Sequence, residues 1–333
     1  MDPITHALSS LALSRAGLNK ASRLAAPMLL AAGLAADVDE FSSWWGAESY
    51  LHAHRTATHS LLGTVLIAAA VAACFWRFGR SHPTQPVRFF RAFVLCAVAA
   101  GFHLLLDWLN PYGVKLLWPL RQKWYAADTV ARVDLLILIL LFAALLLPGL
   151  FRLVLEEIGT KAKRSSAQRG AIYALCLIAV LIVARWSLHD SALQVLRSRL
   201  YFGQSPVSTA AFPQSASPLQ WNGVVETDNT IQEIEVSLSP NARFDPDLAH
   251  INYKPESSPA LEAARKSRVL QEYLGFARFP KATVFKQGEG YRVELRDLRF
   301  GSYLPFQREV MASVELNAQY EIIKDEFRFG PAR

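Results

Sequence analysis

The sequence predicts an α-helical multi-pass membrane bundle over residues 1–190, a linker over 191–219 and an α+β domain outside the membrane over 220–333. Two observations support this fold class. The chain has a positive mean hydropathy of +0.18, and its long uncharged runs are confined to the first two thirds. The last third alternates apolar and polar residues between Pro and Gly clusters, which is typical of half-buried strands.

Four uncharged runs predict spanning helices, because each approaches the length of about 20 residues that crosses a bilayer. Together with the residues that flank each run, the predicted spans cover residues 61–77, 91–109, 134–152 and 170–188. A soluble bundle with buried helices is the alternative, but the run LLILILLFAALLLPGLF is apolar on every side, which disfavours it. Two shorter segments rich in Ala and Leu, within residues 5–36, predict an antiparallel hairpin that is inserted into the bundle or lies on it.

The C-terminal region has four segments with the alternation of strands and one segment with the spacing of an amphipathic helix. The predicted strands are Ile231–Leu238, Ala282–Phe285, Tyr291–Leu298 and Met311–Leu316, and the predicted helix is Pro259–Tyr273. No metal or phosphate motif is recognisable in this region. The candidate functional residues therefore lie in the N-terminal part of the chain.

The formal net charge of +7 raises the question of nucleic-acid binding. The basic residues flank apolar runs and form no dense stripe, which is typical of a membrane surface and disfavours nucleic acid as a partner. The cysteines Cys74, Cys96 and Cys176 lie singly inside apolar runs. We expect buried small side chains there, and neither a disulfide framework nor a thiolate metal site.

Histidine and aspartate are concentrated in the first half of the chain, where six of the eight histidines precede residue 110. The candidate residues lie beside the helical segments and are His6, Asp37, Asp39, His54, His59, His103, Asp107 and Asp134. His6 starts the first helical segment, and Asp37 and Asp39 end the second. His54 and His59 precede the third segment, His103 and Asp107 end the fourth, and Asp134 opens the fifth. In an up-and-down bundle with short connections, this alternation places all five groups at the same end.

Each pair alone is weak evidence for a metal site. His103 and Asp107 are four residues apart, so they share one face of a helix and can bind one ion together, but a simple hydrogen-bonded pair has the same spacing. Asp37 and Asp39 can merely end a helix. The convergence of all the groups favours a metal site, because imidazole and carboxylate are the usual ligands of zinc and manganese.

Four ordered motifs, MDPITH, ADVDE, HRTATHS and HLLLDWLNPYG, resemble the YdjM/YfhP-like family of membrane-bound metal-dependent hydrolases. In that family the motifs run M-D-x-x-T-H, P-D-x-D, H-R-G-x-T-H-S and H-x-x-x-D-x-x-x-x-x-G. The resemblance covers residues 1–135, and the later part of the chain resembles the longer members. Ala36 stands where the family often has Pro, and Thr56 where Gly is usual, and neither departure removes a ligand. The resemblance implies a metal hydrolase and names no substrate.

So many candidate ligands suit two ions a few ångströms apart, which is the usual arrangement for phosphoester hydrolysis. We expect His6, Asp37, His54, His59, His103 and Asp107 to be direct ligands, whereas Asp39 and Asp134 either bind or orient the imidazoles. Zinc is the expected metal, with manganese or another divalent ion as the alternative, and water activated by the metal is the expected nucleophile.

Two residues are the candidates for catalysis, Asp107 as a ligand and Arg55 as a cation beside the metal. The planar guanidinium of Arg55 can clamp a phosphate, and a lipid-headgroup contact or a structural ion pair is the alternative role. Thr58 or Ser60 is expected to cap the helix that follows.

The leading functional hypothesis is a membrane-bound metal-dependent hydrolase that acts on a phosphoester of a lipid or of another anionic molecule near the membrane. The alternative is a metal-binding membrane protein without catalysis, such as a transporter or an assembly factor. A transporter usually places its ionisable residues near mid-membrane, whereas here they gather at helix ends. A simple membrane anchor would leave the histidines unexplained.

The distribution of basic residues predicts an orientation in the cell inner membrane. The loops at 77–91 and 152–169 carry nine Lys and Arg, whereas the much longer stretches 1–60 and 110–132 carry eight. The positive-inside rule places the dense loops in the cytoplasm. The metal site and the C-terminal domain are therefore expected on the other side of the membrane.

Overall fold

The computed structural model describes residues 1–158, 165–300 and 310–329. Of the basic loop predicted at 152–169, residues 159–164 lie outside the described residues, and most of the rest belongs to the helices on either side. The chain divides into two compact units. The first comprises Met1–Phe41, Ala53–Ser187 and Gln214–Pro218, and the second comprises Ser42–His52, Leu188–Pro213 and Leu219–Arg333.

Helices dominate the N-terminal part of the described chain. They are α1 (Pro3–Arg15), α2 (Ala25–Leu34), α3 (Ala47–Ala53), α4 (Leu61–Gly79), α5 (Phe89–Trp108), α6 (Leu135–Glu157) and α7 (Ser165–Arg197), with 3₁₀ helices at Leu18–Ala21 and Ala35–Trp45. Three of them, α4, α5 and α7, are long and apolar enough to cross a membrane. These three correspond to predicted spans. The fourth predicted span corresponds to α6, which is a shorter apolar helix over Leu135–Phe151.

The predicted hairpin is formed by α1 and α2, and it is inserted into the bundle. Asp2 begins α1 by accepting a hydrogen bond from the backbone N–H of Thr5 at 2.9 Å. Helix α2 packs against α4 and α5 through small buried side chains that include Ala32, Ala68 and Ala99. Small residues allow close approach of helix backbones, so even these short helices gain extensive contact within the bundle.

Ser60 caps α4, because its Oγ accepts a hydrogen bond from the backbone N–H of Gly63 at 2.9 Å. The other candidate cap, Thr58, donates instead to Asp39. The position of this cap matters for the site. The loop that carries His54 and His59 ends at Ser60, and α4 begins two residues after His59.

The cysteine prediction is correct in part. All three are free thiols and Cys96 is buried between α2 and α5, but Cys74 on α4 and Cys176 on α7 are exposed. The expectation that all three are buried in protein is therefore wrong. An apolar helix face that meets lipid carries the same residue types as one that meets protein, so composition does not distinguish the two.

The second unit contains two antiparallel four-stranded sheets. Their orders are β1-β2-β3-β4 and β5-β6-β7-β8, with β1 (Ser208–Pro213), β2 (Gln220–Glu226), β3 (Thr230–Ser237), β4 (His250–Tyr253), β5 (Pro280–Gln287), β6 (Gly290–Asp297), β7 (Val310–Leu316) and β8 (Ile322–Phe329). The four predicted strands are confirmed as β3, β5, β6 and β7. The region predicted as a linker holds the last turns of α7 and the whole of β1.

The predicted single helix over Pro259–Tyr273 is wrong, because two helices occupy this segment. They are α8 (Pro259–Ala264) and α9 (Arg268–Phe276). The side chain of Ser267 accepts a hydrogen bond from the backbone N–H of Leu270, which starts a new helix in the middle of the apolar pattern. Both helices pack on β7.

Candidate metal centre

Three side chains from the loop before α4 and from the end of α5 bring their terminal atoms together. Nε2 of His59 lies 3.0 Å from Nε2 of His103 and 3.0 Å from Oδ2 of Asp107, and the last two atoms are 3.2 Å apart. Oδ1 of Asp37 lies farther away, at 3.6 Å from His103 Nε2 and 3.9 Å from His59 Nε2. Neighbouring ligands around tetrahedral zinc, each bonded at about 2.0–2.1 Å, are about 3.4 Å apart. The observed distances between possible ligand atoms, from 3.0 to 3.9 Å, lie on both sides of that value.

His6 faces Oδ1 of Asp107, the oxygen that does not face His59 and His103. Its Nε2 is 3.5 Å from Asp107 Oδ1, and its ring stacks on His103 with 3.7 Å between centroids. His6, Asp37, His103 and Asp107 can each offer one ligand atom within 4.8 Å of the others. Among the described residues, neither ring nitrogen of the fully buried His6 has a hydrogen-bond partner. A metal ion would satisfy such an imidazole, so these residues fit a cation.

The two central imidazoles are oriented by hydrogen bonds at Nδ1. Nδ1 of His103 lies 2.8 Å from the carbonyl oxygen of Gly33, and Nδ1 of His59 lies 3.0 Å from Oδ2 of Asp39. Donation from Nδ1 leaves the lone pair of Nε2 for a metal, as in known metal sites. Gly33 is required for this packing, because a Cβ there would overlap Oγ of Ser10 on α1.

Asp39 organises the loop behind His59. It also contacts Nδ1 of His54 at 2.8 Å, the backbone N–H of Arg55 at 2.9 Å and the hydroxyl of Thr58 at 2.5 Å. Burial raises the pKa of Asp39, but the hydrogen bonds from His54 and His59 outweigh it and hold the pKa well below its ordinary value. Of the two roles considered for Asp39, the geometry therefore supports the orientation of imidazoles.

The structure does not place His54 among the converging atoms. Its Nδ1 faces Asp39, and its ring centroid is 6.2 Å from that of His59. Burial lowers the pKa of His54 to about 3, so the ring is neutral. The expectation of a direct ligand followed from its position before α4, but Nδ1 of His54 contacts Oδ1 of Asp39, whereas Nδ1 of His59 contacts Oδ2.

Arg55 is buried and neutralises one oxygen of Asp107. Its Nη2 lies 2.9 Å from Asp107 Oδ1, and its Nη1 donates to Oδ1 of Asn110 at 2.9 Å. The backbone of Arg55 has a φ of +57°, a left-handed conformation that directs its N–H to Asp39. Of the roles considered for Arg55, this geometry supports the ion pair, which leaves Oδ2 of Asp107 facing the imidazoles.

Asn110 is a site residue that sequence reasoning missed. Its fully buried side chain donates from Nδ2 to Asp107 Oδ1 at 3.2 Å, and its Oδ1 accepts from Arg55 and from the backbone N–H of Tyr112. The signal was present in the HLLLDWLNPYG motif, where Asn110 follows Asp107 by three residues. A polar residue three positions after a buried carboxylate can donate a hydrogen bond to it, here within the turn that ends α5.

Asp134 is not part of the converging group. Its Oδ2 lies 2.5 Å from Nη1 of Arg185 on α7, both side chains are fully buried, and its Oδ1 accepts from the backbone N–H of Ile137. Asp134 therefore caps α6 and pairs with a fixed cation. The sequence prediction missed this pair because Arg185 lies inside an apolar run far along the chain.

The charge balance of the centre calls for a cation. Three carboxylates, Asp37, Asp39 and Asp107, face one guanidinium, that of Arg55, and burial lowers the pKa of the His59 imidazole, which stays neutral. The Met1 nitrogen also contacts Asp107, and burial lowers the pKa of this amine. Burial raises the pKa of Asp37 to about 7. When all three carboxylates are ionised, these side chains carry two negative charges more than positive ones, and one divalent ion would neutralise that excess.

The N-terminal part of the chain is similar to a known protein family. The family model described as YdjM inner membrane protein matches residues 1–192, which is more than half of the chain and includes every residue of the metal centre. No curated protein and no solved structure matches the chain. This protein belongs to the YdjM family of inner membrane proteins.

Proposed function

We propose that this protein is a membrane-bound metal-dependent hydrolase that cleaves a phosphoester of a lipid or of another anionic molecule at the membrane surface. The observation that carries the proposal is the buried triad of His59, His103 and Asp107, in a centre whose three carboxylates outnumber its one guanidinium. Zinc is the first candidate for the metal, and manganese is the alternative.

One ion fits the described residues better than two. Oδ2 of Asp107 faces the imidazoles, whereas Oδ1 already contacts Arg55 and Asn110. His6 can offer a further ligand atom together with Asp37 and His103, but it lies on the side of this occupied oxygen. The two-ion hypothesis therefore has less support than a single ion held by His59, His103 and Asp107.

Asp37 decides between a catalytic and a structural metal site. Structural zinc sites have four protein ligands, whereas catalytic sites have three and leave one position open. Asp37 lies farther from the imidazoles than Asp107 does, and its side chain is 11% exposed, against 0% for Asp107. We therefore assign it to the open side, as the group that exchanges a proton with water and the leaving oxygen.

The chain supplies three elements of the proposed chemistry. A divalent ion at the triad would lower the pKa of water and polarise a phosphoryl oxygen. Asp39 keeps His59 in the tautomer that exposes Nε2, and Arg55 with Asn110 fixes the plane of the Asp107 carboxylate. The pKa of Asp37, about 7, suits proton transfer near neutral pH.

The test begins with elemental analysis of the purified protein and continues with phosphoester substrates, namely bis-p-nitrophenyl phosphate, phospholipids and isoprenoid phosphates. In an active preparation, Asp37→Asn should keep one ion when metal is in excess but lose a factor on the order of 10²–10⁴ in kcat. Glu40→Gln, which removes a carboxylate one turn farther along the same 3₁₀ helix, is the matched control and should stay active.

Two outcomes would favour the alternative, a metal-binding membrane protein without catalysis. One is a tightly held stoichiometric metal with no hydrolysis of any substrate. The other is loss of the ion in Asp37→Asn, because this variant would then have lost a fourth ligand of a closed site.

We also propose that the metal centre and the C-terminal domain lie outside the cytoplasm, on the basis of the dense basic loops. Alkaline phosphatase fused after Arg333 should be active, and a green fluorescent protein fused at the same place should be dark. A bright fluorescent fusion with inactive phosphatase would reverse the orientation.

A further inference from the structure

The loop that follows α5 folds back on itself and carries three cations. The backbone N–H of Val114 donates to the carbonyl oxygen of Tyr125, and the N–H of Tyr125 donates to that of Val114, each at 2.9 Å. We call residues 114–125 the basic hairpin. Its cations are Lys115, Arg121 and Lys123. Residues 109–127 contain no Asp or Glu, so the positive charge of the hairpin is not balanced by its neighbours in the sequence.

The basic hairpin is attached to the loop that carries the histidines of the metal centre. The backbone N–H of Lys115 donates to the carbonyl oxygen of Arg55 at 3.1 Å. The N–H of Leu61, the first residue of α4, donates to the carbonyl oxygen of Leu116 at 3.0 Å. Helix α5 ends at Trp108, and both α4 and α5 are long and apolar enough to cross a membrane. The hairpin therefore lies where two spanning helices end, at the membrane interface.

Aromatic rings connect one cation of the hairpin with the metal centre. Nζ of Lys115 lies 5.3 Å from the ring centroid of Trp124, and this ring lies 5.9 Å from that of Tyr112. The ring of Tyr112 packs edge-on against His54 at 5.2 Å, and the guanidinium of Arg55 lies over it at 4.9 Å. An anion held at Lys115 would therefore lie beside the residues that surround the metal centre.

In the part of the chain that the structure describes, none of the three cations forms an ion pair with a carboxylate. Nζ of Lys115 donates to Oε1 of Gln122 at 3.4 Å, and Nζ of Lys123 lies 5.8 Å from the ring centroid of Tyr125. Burial lowers the pKa of Lys115, so its charge has a cost that a neighbouring anion would reduce. The charge of the hairpin therefore favours an anion as its ligand.

The composition of the basic hairpin is typical of a segment at the membrane interface. Its aromatic side chains Trp118, Trp124 and Tyr125 are half-buried, and Leu120, midway along it, is 89% exposed. Trp and Tyr prefer the interface, and clusters of Lys and Arg beside a bilayer attract anionic lipids. These two properties together favour the phosphate of a bilayer lipid over a soluble anion.

We propose that the basic hairpin binds the headgroup phosphate of an anionic membrane lipid, and that the metal centre takes its substrate from the lipid held there. The first half stands on the charge of the hairpin and on its attachment to α4. The second half rests on the proposed function, and it specifies the substrate as a lipid phosphoester with a net negative headgroup. Phosphatidylcholine is the disfavoured substrate, because the three cations would repel its choline group.

Acetylation of lysines tests the binding. The full-length protein in detergent is treated with sulfo-N-hydroxysuccinimidyl acetate beside dihexanoyl phosphatidylglycerol or dihexanoyl phosphatidylcholine, and mass spectrometry follows each lysine. Acetylation of Lys123 should be slower with phosphatidylglycerol by about threefold or more. Lys20 is the matched control, because it is also exposed but follows the end of α1 that is away from His6. Its rate should be the same with either lipid. Equal rates at Lys123 with the two lipids, or equal slowing at Lys20, would overturn the binding.

Kinetics test the choice of substrate. Arg121→Gln combined with Lys123→Gln should raise KM for phosphatidylglycerol in vesicles by about tenfold and leave kcat unchanged, because two charges that attract the headgroup are lost. Arg77→Gln combined with Arg80→Gln is the matched control, since it removes two exposed cations from the opposite end of α4, and its KM should not change. An unchanged KM in the hairpin variant would overturn the selection of anionic lipid. Protection of Lys123 without hydrolysis of any phosphoester would support the binding and overturn the proposed function.

Discussion

Two buried aspartates lie beside apolar helices of the bundle and differ in what neutralises them. Asp134 has a fixed partner, since its Oδ2 lies 2.5 Å from Arg185 and both side chains are fully buried. Asp107 is equally buried, but only its Oδ1 faces a cation, that of Arg55. Its Oδ2 faces the imidazoles of His59 and His103. Arg185 balances the charge of Asp134, whereas Asp107 belongs to a group of carboxylates whose total charge the surrounding side chains do not balance.

The comparison shows how one residue type serves two purposes. A buried carboxylate costs several kcal/mol unless a cation compensates it. Arg185 provides that compensation for Asp134 and leaves no charge for a metal. Around Asp107, two further carboxylates, Asp37 and Asp39, outnumber the single guanidinium of Arg55. The nature of the partner, and not the aspartate, decides which site lacks the positive charge that a metal ion would supply.

The largest expected effect is that of Asp107→Asn, which keeps the shape of the side chain but removes its charge. Because a ligand and a negative charge are lost together, metal affinity and hydrolysis should each fall by a factor on the order of 10³. Elemental analysis and kcat measure the two effects. Asp134→Asn is the matched control and should retain the metal. Equal metal loss in both variants would contradict the distinction between the two aspartates.

Asp134→Asn should instead reduce stability. Removing one partner leaves Arg185 buried without its counter-charge, which lowers the free energy of unfolding by about 3–5 kcal/mol. Thermal unfolding in detergent, followed by circular dichroism, measures the change. Replacing both residues, as Asp134→Leu with Arg185→Met, should recover most of the loss. A double variant no more stable than Asp134→Asn would argue against a simple ion pair.

Asp39→Asn should have a smaller effect on the metal centre. The amide cannot accept from both His54 and His59 as strongly as the carboxylate does, so Nε2 of His59 is held less firmly. Loss of such an orienting partner typically lowers metal affinity by about 10–100-fold. Competition with a chelating dye measures it. Unchanged affinity would show that His59 does not need Asp39 for its orientation.

The pH dependence of metal binding should be the mildest effect. The pKa of Asp37 is raised to about 7, so below that pH its proton must leave before the full charge is available to the ion. Metal affinity should rise by up to about tenfold per pH unit towards pH 7 and level off above it. Burial lowers the pKa values of His54 and His59, so neither adds a second step there. In Asp37→Asn, metal affinity should no longer change with pH and should stay at the low value that the unmodified protein has below pH 7. A steep dependence in that variant would assign the proton to another group.

Several features of this protein were determined by local sequence. The apolar runs that became α4, α5 and α7 are recognisable from length alone, because a span must be long and uncharged. The alternation that predicted β3, β5, β6 and β7 reflects one buried sheet face. The order of the candidate ligands along the hairpins also predicted that His6, Asp37, His59, His103 and Asp107 meet at one end, because short connections leave an up-and-down bundle few other arrangements.

Only the tertiary structure decided which of these residues face one another. His54 and His59 are in the same loop, yet the hydrogen bonds of Asp39 direct one ring away from the converging atoms and the other towards them. Asp134 pairs with Arg185 and therefore does not face the candidate centre. The sequence does not indicate this pair, because Arg185 lies inside an apolar run. Partners far apart in the chain meet through helix rotation and side-chain direction. Sequence spacing sets the face of one helix, but the packing of several helices sets what that face meets.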